Sequence, residues 1–181
     1  MDIEIDVLRT APGALEALRQ PGEYVARRSD LEPELLNLVR TYVSHLNGCR
    51  ECVDRHAERA RAVGEEPIRM QLLPHWREAP DGVFSERERS ALAWTETVTR
   101  LGESSRASGA LRAELRARFT ERDLIDLTVA VISANGLDRL ALALGTRPRP
   151  RRPAVRVRME TEGEPCPLCG VPQEGAEGPV V

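Results

Sequence analysis

The stretch LEPELLNLVRTYVSHLNGCRECVDRHAERARAVG, residues 31–64, decides how the rest of the chain is read. Leu31, Leu35, Leu38, Val39, Tyr42, Val43 and Leu46 recur at spacings of three and four, the stripe of a helix that buries one face. Asn47-Gly48 breaks that stripe. Asn is a good N-cap, so a second helix is expected to open there and to run through Val63 until Gly64 stops it. The break between the two helices carries a C-x-x-C pair.

Outward from this hairpin the pattern stays helical. Ser85-Glu-Arg-Glu88 has the capping-box form and opens a helix carrying Leu92, Ala93, Trp94 and Val98. Gly109 to Arg118 reads as a shorter helix, and Thr120-Glu-Arg-Asp123 as a second box with Asp in the third helical position. It opens the apolar segment Leu124–Leu144, expected to be interrupted at Asn135-Gly136. That segment is apolar nearly all round, which places it between other helices or between subunits. No period-two alternation appears before Gly145, and the fold class is all-α. Past Gly145 comes Thr-Arg-Pro-Arg-Pro-Arg-Arg-Pro (146–153), which cannot sustain a helix. Residues 1–145 are therefore read as the domain. Residues 146–181 are read as a Pro/Gly-rich tail, with a short alternating run at Val155, Val157 and Met159.

Composition narrows the function. Hydrophobic residues make up 41% of the 181 and charged residues 30%, the profile of a globular protein with one core. A net charge of -3 gives no electrostatic case for nucleic acid, and the Arg-Pro run is read as a solvated linker. The basic residues other than histidine are all arginine, so Schiff-base chemistry on a lysine is excluded. No run approaches the roughly 18 apolar residues of a membrane span. Asp2, Glu4 and Asp6 stand where a secretory leader carries positive charge, and a cytoplasmic location is expected. In a reducing compartment four cysteines in two C-x-x-C pairs read as redox or metal sites rather than as a disulfide framework.

In Asn47-Gly-Cys49-Arg-Glu-Cys52-Val-Asp-Arg-His56 three features converge. Cysteines three apart at a helix start lie one turn from each other, close enough to join with little backbone movement. The N–H groups and positive dipole end there favour a thiolate over its free pKa of roughly 8.5. His56, four residues after Cys52 and seven after Cys49, shares their face and is placed to take a thiol proton. The competing reading is of two buried small hydrophobes beside a structural histidine. His45 and His75 are read as packing or surface histidines, and Trp76 and Trp94 as core or subunit-contact anchors.

The run Leu38–His56 resembles the signature of the alkylhydroperoxidase D-like, carboxymuconolactone decarboxylase superfamily. Trp76-Arg-Glu-Ala-Pro80, Phe84–Glu88, Ala91–Glu96 and Asn135-Gly-Leu-Asp-Arg139 resemble its companion segments, and the likeness spans roughly Leu15 to Pro148. It implies a small all-α AhpD-like domain in a homo-oligomer, a trimer or hexamer with a dimer as the alternative. It also implies an antioxidant peroxidase that reduces alkyl hydroperoxides and needs no cofactor, with a thiol reductant protein as partner. By the same resemblance Cys52 attacks peroxide, Cys49 resolves and His56 relays protons. Two positions depart from the pattern. Asn37 stands where the peroxidases carry a glutamate twelve residues before the first cysteine, with Glu34 one turn earlier as its candidate substitute. Glu51 stands where the peroxidases have a histidine before the second cysteine, and an anion there raises the pKa of Cys52.

The tail holds Cys166-Pro-Leu-Cys169-Gly170, the shape of a zinc knuckle supplying two of four ligands. It is read either as half of a zinc site completed by another subunit, as a dithiol passing electrons to the helix pair, or as inert. The function expected first is the Cys49–Cys52 peroxidase. The alternatives are a non-enzymatic redox or zinc-binding module on the same fold and a lactone decarboxylase of the same superfamily.

Overall fold

A computed structural model describes residues 5–62, 64–100 and 107–145. The tail, with the alternating run at 155–159 and the Cys166–Cys169 knuckle, lies outside the described residues. The described chain forms α1 (Val7–Thr10), α2 (Pro12–Arg28), α3 (Pro33–Asn47), α4 (Arg50–Ala62) and α5 (Pro67–Leu72). A 3₁₀ turn at Leu73–His75 follows, then α6 (Glu86–Thr99), α7 (Gly109–Arg118) and α8 (Glu121–Ala143). No strand occurs among the described residues, and the all-α expectation is met.

Helix α3 is the centre of the bundle, packed by α4, α6 and α8 on its sides, while α2 covers α8. Its stripe divides between two cores. Leu35, Val39 and Val43 join Val25, Leu127 and Val131 in one. Leu38 and Tyr42 join Leu73, Trp76, Phe84 and Leu92 in the other. Each such side chain contributes roughly 1.5–3 kcal/mol by leaving water. Polar positions between them are also buried, but they are paired within the helix: Thr41 Oγ1 donates to the Asn37 carbonyl at 2.8 Å and Ser44 Oγ to that of Arg40 at 3.2 Å.

Both capping boxes form, at Ser85–Glu88 and at Thr120–Asp123, and α7 has the expected bounds. Two expectations need correction. Asn47 does not cap α4; it is the last residue of α3, and its side chain is used elsewhere. Asn135-Gly136 does not interrupt α8. Asn135 Nδ2 donates to the Val131 carbonyl at 3.0 Å and to Thr99 Oγ1 at 2.9 Å, so the side chain that competes with helix elsewhere is bonded here. Within one chain α8 leaves Ile125 and Ile132, two turns apart, 63% and 57% exposed, so of its two expected settings the one between subunits stays open.

The joint between α3 and α4 is a Schellman turn. Gly48 adopts φ +71°, its N–H and that of Cys49 close on the last carbonyls of α3, and the chain reverses in two residues. A Cβ at Gly48 meets nothing within 4 Å, so substitution acts through the backbone alone. Gly48→Ala should lower the urea-unfolding free energy by about 1–2 kcal/mol, and Gly48→Asn by less.

Candidate active site at the α3–α4 turn

The turn delivers Cys49 to the entrance of α4. The Cys49 carbonyl accepts from the Val53 N–H at 3.0 Å, which makes Cys49 the N-cap and Cys52 the third helical residue. The two are joined as a disulfide, with Cα atoms 5.3 Å apart. Both cysteines are buried, and so is His56 one turn further along. Cys52 and His56 face one small cavity of ≈ 20 Å³, room for about one water molecule. Arg40 of α3, Arg55 of α4, and Leu137 and Asp138 of α8 also line it, together with small residues of α8.

Asp138 is the residue that sequence reasoning missed. A carboxylate oxygen of Asp138 and both sulfurs all lie within 4.8 Å of one another. Asn47 Nδ2 donates to Asp138 Oδ2 at 3.3 Å and to Asn135 Oδ1 at 3.1 Å, tying the cysteine turn to α8. The signal was present in the sequence, since Asp138 and Arg139 are the only charges in the apolar run from Leu127 to Leu144.

The candidate relay residues lie elsewhere. Asn37 precedes Arg40 by one turn of α3 and Glu34 by two, and neither lines the cavity. Glu34 is exposed. Glu51 sits in the first turn of α4, where its charge favours the helix dipole, and it also stays outside the cavity wall. His45 and His75 line a separate cleft with Tyr42, Trp76, Arg77 and Glu96. There Trp76 Nε1 donates to Tyr42 Oη at 3.0 Å, Tyr42 donates to Glu96, and Arg77 grips Glu96 at 2.7 Å through each nitrogen. Burial and the Glu96 carboxylate push the Tyr42 hydroxyl up to about 12. Trp94 is half-buried, with Nε1 donating to Thr128 Oγ1 at 2.9 Å.

Burial shifts the two titratable neighbours of the disulfide in opposite directions. His56 is pushed down to about 3, first by desolvation and then by the charges of Arg59, Arg40 and Arg55. It is a neutral imidazole whose buried Nδ1 has no hydrogen-bond partner among the described residues. Asp138 is pushed up to about 6 by desolvation, against the pull of Asn47, Ser44, Arg55 and Arg139. A neutral imidazole with so low a proton affinity passes a hydrogen bond along but stores no proton near neutrality. Asp138, near 6, exchanges one on the acid side of neutrality.

The signs of the linkage differ. Asp138 binds its proton more tightly folded than unfolded, so ionising it opposes folding above pH 6 and the penalty is gone by about pH 4. His56 binds its proton less tightly folded, so it costs stability progressively as pH falls from 6.5 toward 3. Asp138→Asn should therefore stabilise the protein by on the order of 3 kcal/mol at pH 8, an advantage that shrinks to nothing by pH 4. His56→Gln should show an advantage that grows as the solution is acidified. Urea midpoints of the three proteins from pH 8 to pH 4 check both slopes.

The profile of the carboxymuconolactone decarboxylase family matches residues 12–97. The uncharacterized protein YdfG of Bacillus subtilis (strain 168) is 28% identical over 147 residues, 81% of this chain and 97% of its own. The crystal structure of ATU0492 from Agrobacterium tumefaciens, described as a putative antioxidant defence protein AhpD, superposes with a TM-score of 0.74. Its identity is 30%, and the match covers 81% of this chain and 97% of that one. An uncharacterized peroxidase-related protein from Silicibacter sp. TM1040 superposes with a TM-score of 0.64 at 25% identity, over 74% and 69% of the two chains. With the helical bundle, the C-x-x-C entrance to α4 and these likenesses together, the chain belongs to the AhpD-like, carboxymuconolactone decarboxylase superfamily.

Proposed function

We propose that the protein is a thiol peroxidase that reduces hydroperoxides, alkyl hydroperoxides among them, through a Cys49–Cys52 dithiol/disulfide cycle. The observation that carries this reading is the disulfide at the N-terminus of α4, in one cavity with His56. The names of the Agrobacterium and Silicibacter neighbours, antioxidant and peroxidase-related, support it. Cys52 takes the attacking role that the family resemblance gives it, and it is the cysteine that lines the cavity with His56. Cys49, on the N-cap, resolves. His56, neutral and facing the cavity, accepts a hydrogen bond from the cavity water and orients it.

A dithiol protein is the proposed reductant that reopens the disulfide. The apolar stripe of α8 at Ile125 and Ile132 is where we place the contact between subunits of a homo-oligomer. No helix among the described residues is long and apolar enough to cross a membrane, and a membrane partner has no part in this reading.

Reduced protein titrated with hydroperoxide should lose two thiols per equivalent, and peptide masses should pair Cys49 with Cys52. Cys52→Ser should abolish the reaction. Cys49→Ser should stop after one step, with a sulfenic acid on Cys52 that dimedone traps. Both thiols left free after stoichiometric peroxide would contradict the proposal.

A further inference from the structure

Peroxide reduction by a dithiol moves two protons, because each thiol must shed one and each departing oxygen must gain one. His56 and Asp138 both line the cavity with Cys52, and the Asp138 carboxylate is grouped closely with both sulfurs. The Asp138 carboxylate lies within 4.8 Å of both sulfurs, a separation that one intervening water spans, and the cavity has room for about one. Asn47, from the turn that carries Cys49, fixes the carboxylate by its 3.3 Å bond to Oδ2. The carboxylate is therefore within reach of both cysteines from one position.

We propose that Asp138 is the proton carrier of the cysteine pair, taking the proton of each thiol through the cavity water and returning it to the oxygen that leaves. The identity of that oxygen rests on the peroxidase reading above; the exchange between thiol and carboxylate does not. In the first half-reaction the Cys52 thiol gives its proton to the Asp138 carboxylate. The thiolate then attacks one peroxide oxygen: a sulfur–oxygen bond forms, the oxygen–oxygen bond breaks, and its electron pair leaves on the alkoxide. Protonated Asp138 neutralises the alkoxide to an alcohol. In the second half-reaction the Cys49 thiol gives its proton to Asp138 and attacks Cys52. The sulfur–sulfur bond forms, the sulfur–oxygen bond breaks, and the departing hydroxide takes that proton to become water. Hydroperoxide and two thiols have become alcohol, water and disulfide, and Asp138 is unchanged.

The surroundings suit the task. Among the described residues Arg55 and His56 of α4, Arg40 of α3, Arg139 of α8 and, once reduced, the two cysteines are charged or titratable groups around the carboxylate. Asn47 and Ser44 add uncharged donors. On this part of α8, α2 brings Leu18 against Gly136, and α6 brings Thr99, whose hydroxyl accepts from Asn135 and whose carbonyl accepts from Arg139 at 3.4 Å. Burial leaves Asp138 with a proton affinity matched to neutral pH, near 6, while that of His56 is too low.

The test is single-turnover oxidation of the pre-reduced full chain by tert-butyl hydroperoxide from pH 5 to pH 9. Alkylation by iodoacetamide, which needs the thiolate but no departing oxygen, is followed in parallel. Asp138→Asn should slow oxidation by about 100-fold or more and remove the inflection near pH 6 from both profiles. In Asp138→Ala, added formate should restore part of the rate. Asp138→Asn oxidising at the wild-type rate with the wild-type profile overturns the proposal. So does a loss in both variants that formate leaves untouched, which marks a merely structural role. If the hydroperoxide leaves the wild-type thiols free, the peroxidase reading falls and alkylation alone decides. An inflection lost in Asp138→Asn then supports proton exchange with Asp138, and superimposable profiles overturn it.

Discussion

One buried amide joins the cysteine turn to the far side of the bundle. Asn47, the last residue of α3, bonds at once to Asn135 and Asp138 of α8, and Asn135 bonds onward to Thr99 of α6. Three helices are thereby fixed around a two-residue reversal that has little rigidity of its own. The disulfide sits where this string of polar groups meets the entrance of α4, so its surroundings are set by tertiary packing rather than by the hairpin alone. Without α8 the C-x-x-C pair keeps its place at a helix start but loses the Asp138 carboxylate beside it.

The same packing gives the two titratable neighbours of the sulfurs opposite fates. Desolvation penalises whichever form is charged, so it empties His56 of its proton and helps Asp138 keep one. Two ordinary side chains end with opposite proton affinities, an imidazole near 3 and a carboxyl near 6. The cost of an acid held in an apolar helix is accepted at this one point. It matches the general observation that strongly shifted groups in a recess mark chemistry rather than packing.

What could be read from sequence was what is local. Ser85–Glu88 and Thr120–Asp123 close their capping boxes within four residues, and C-x-x-C-x-x-x-H lies within eight, so helix starts and the thiol motif were legible. The errors arose where a distant partner overrides local preference. Asn135 looks like a break until Thr99 accepts its amide. Asn47 looks like a cap until its side chain is bonded 91 residues away, to Asp138. Asp138 itself was hidden for the same reason. Glu34 and Asn37 rest on a family pattern rather than on local spacing; they precede Arg40 by two turns and one, and Arg40 is the α3 residue that lines the cavity. Periodicity identified α8 as apolar, but it could not say which side stays open at Ile125 and Ile132.

The meeting of sulfur and carboxyl in one water-sized space is the physical core of this account. Infrared difference spectroscopy between the dithiol and disulfide forms, recorded near pH 6, addresses it without any peroxide. A carboxylic-acid carbonyl band that shifts when the cysteines change state, and that vanishes in Asp138→Asn, is the expected result. A difference spectrum with no carboxyl signal in that region, or one that survives the substitution, would contradict it.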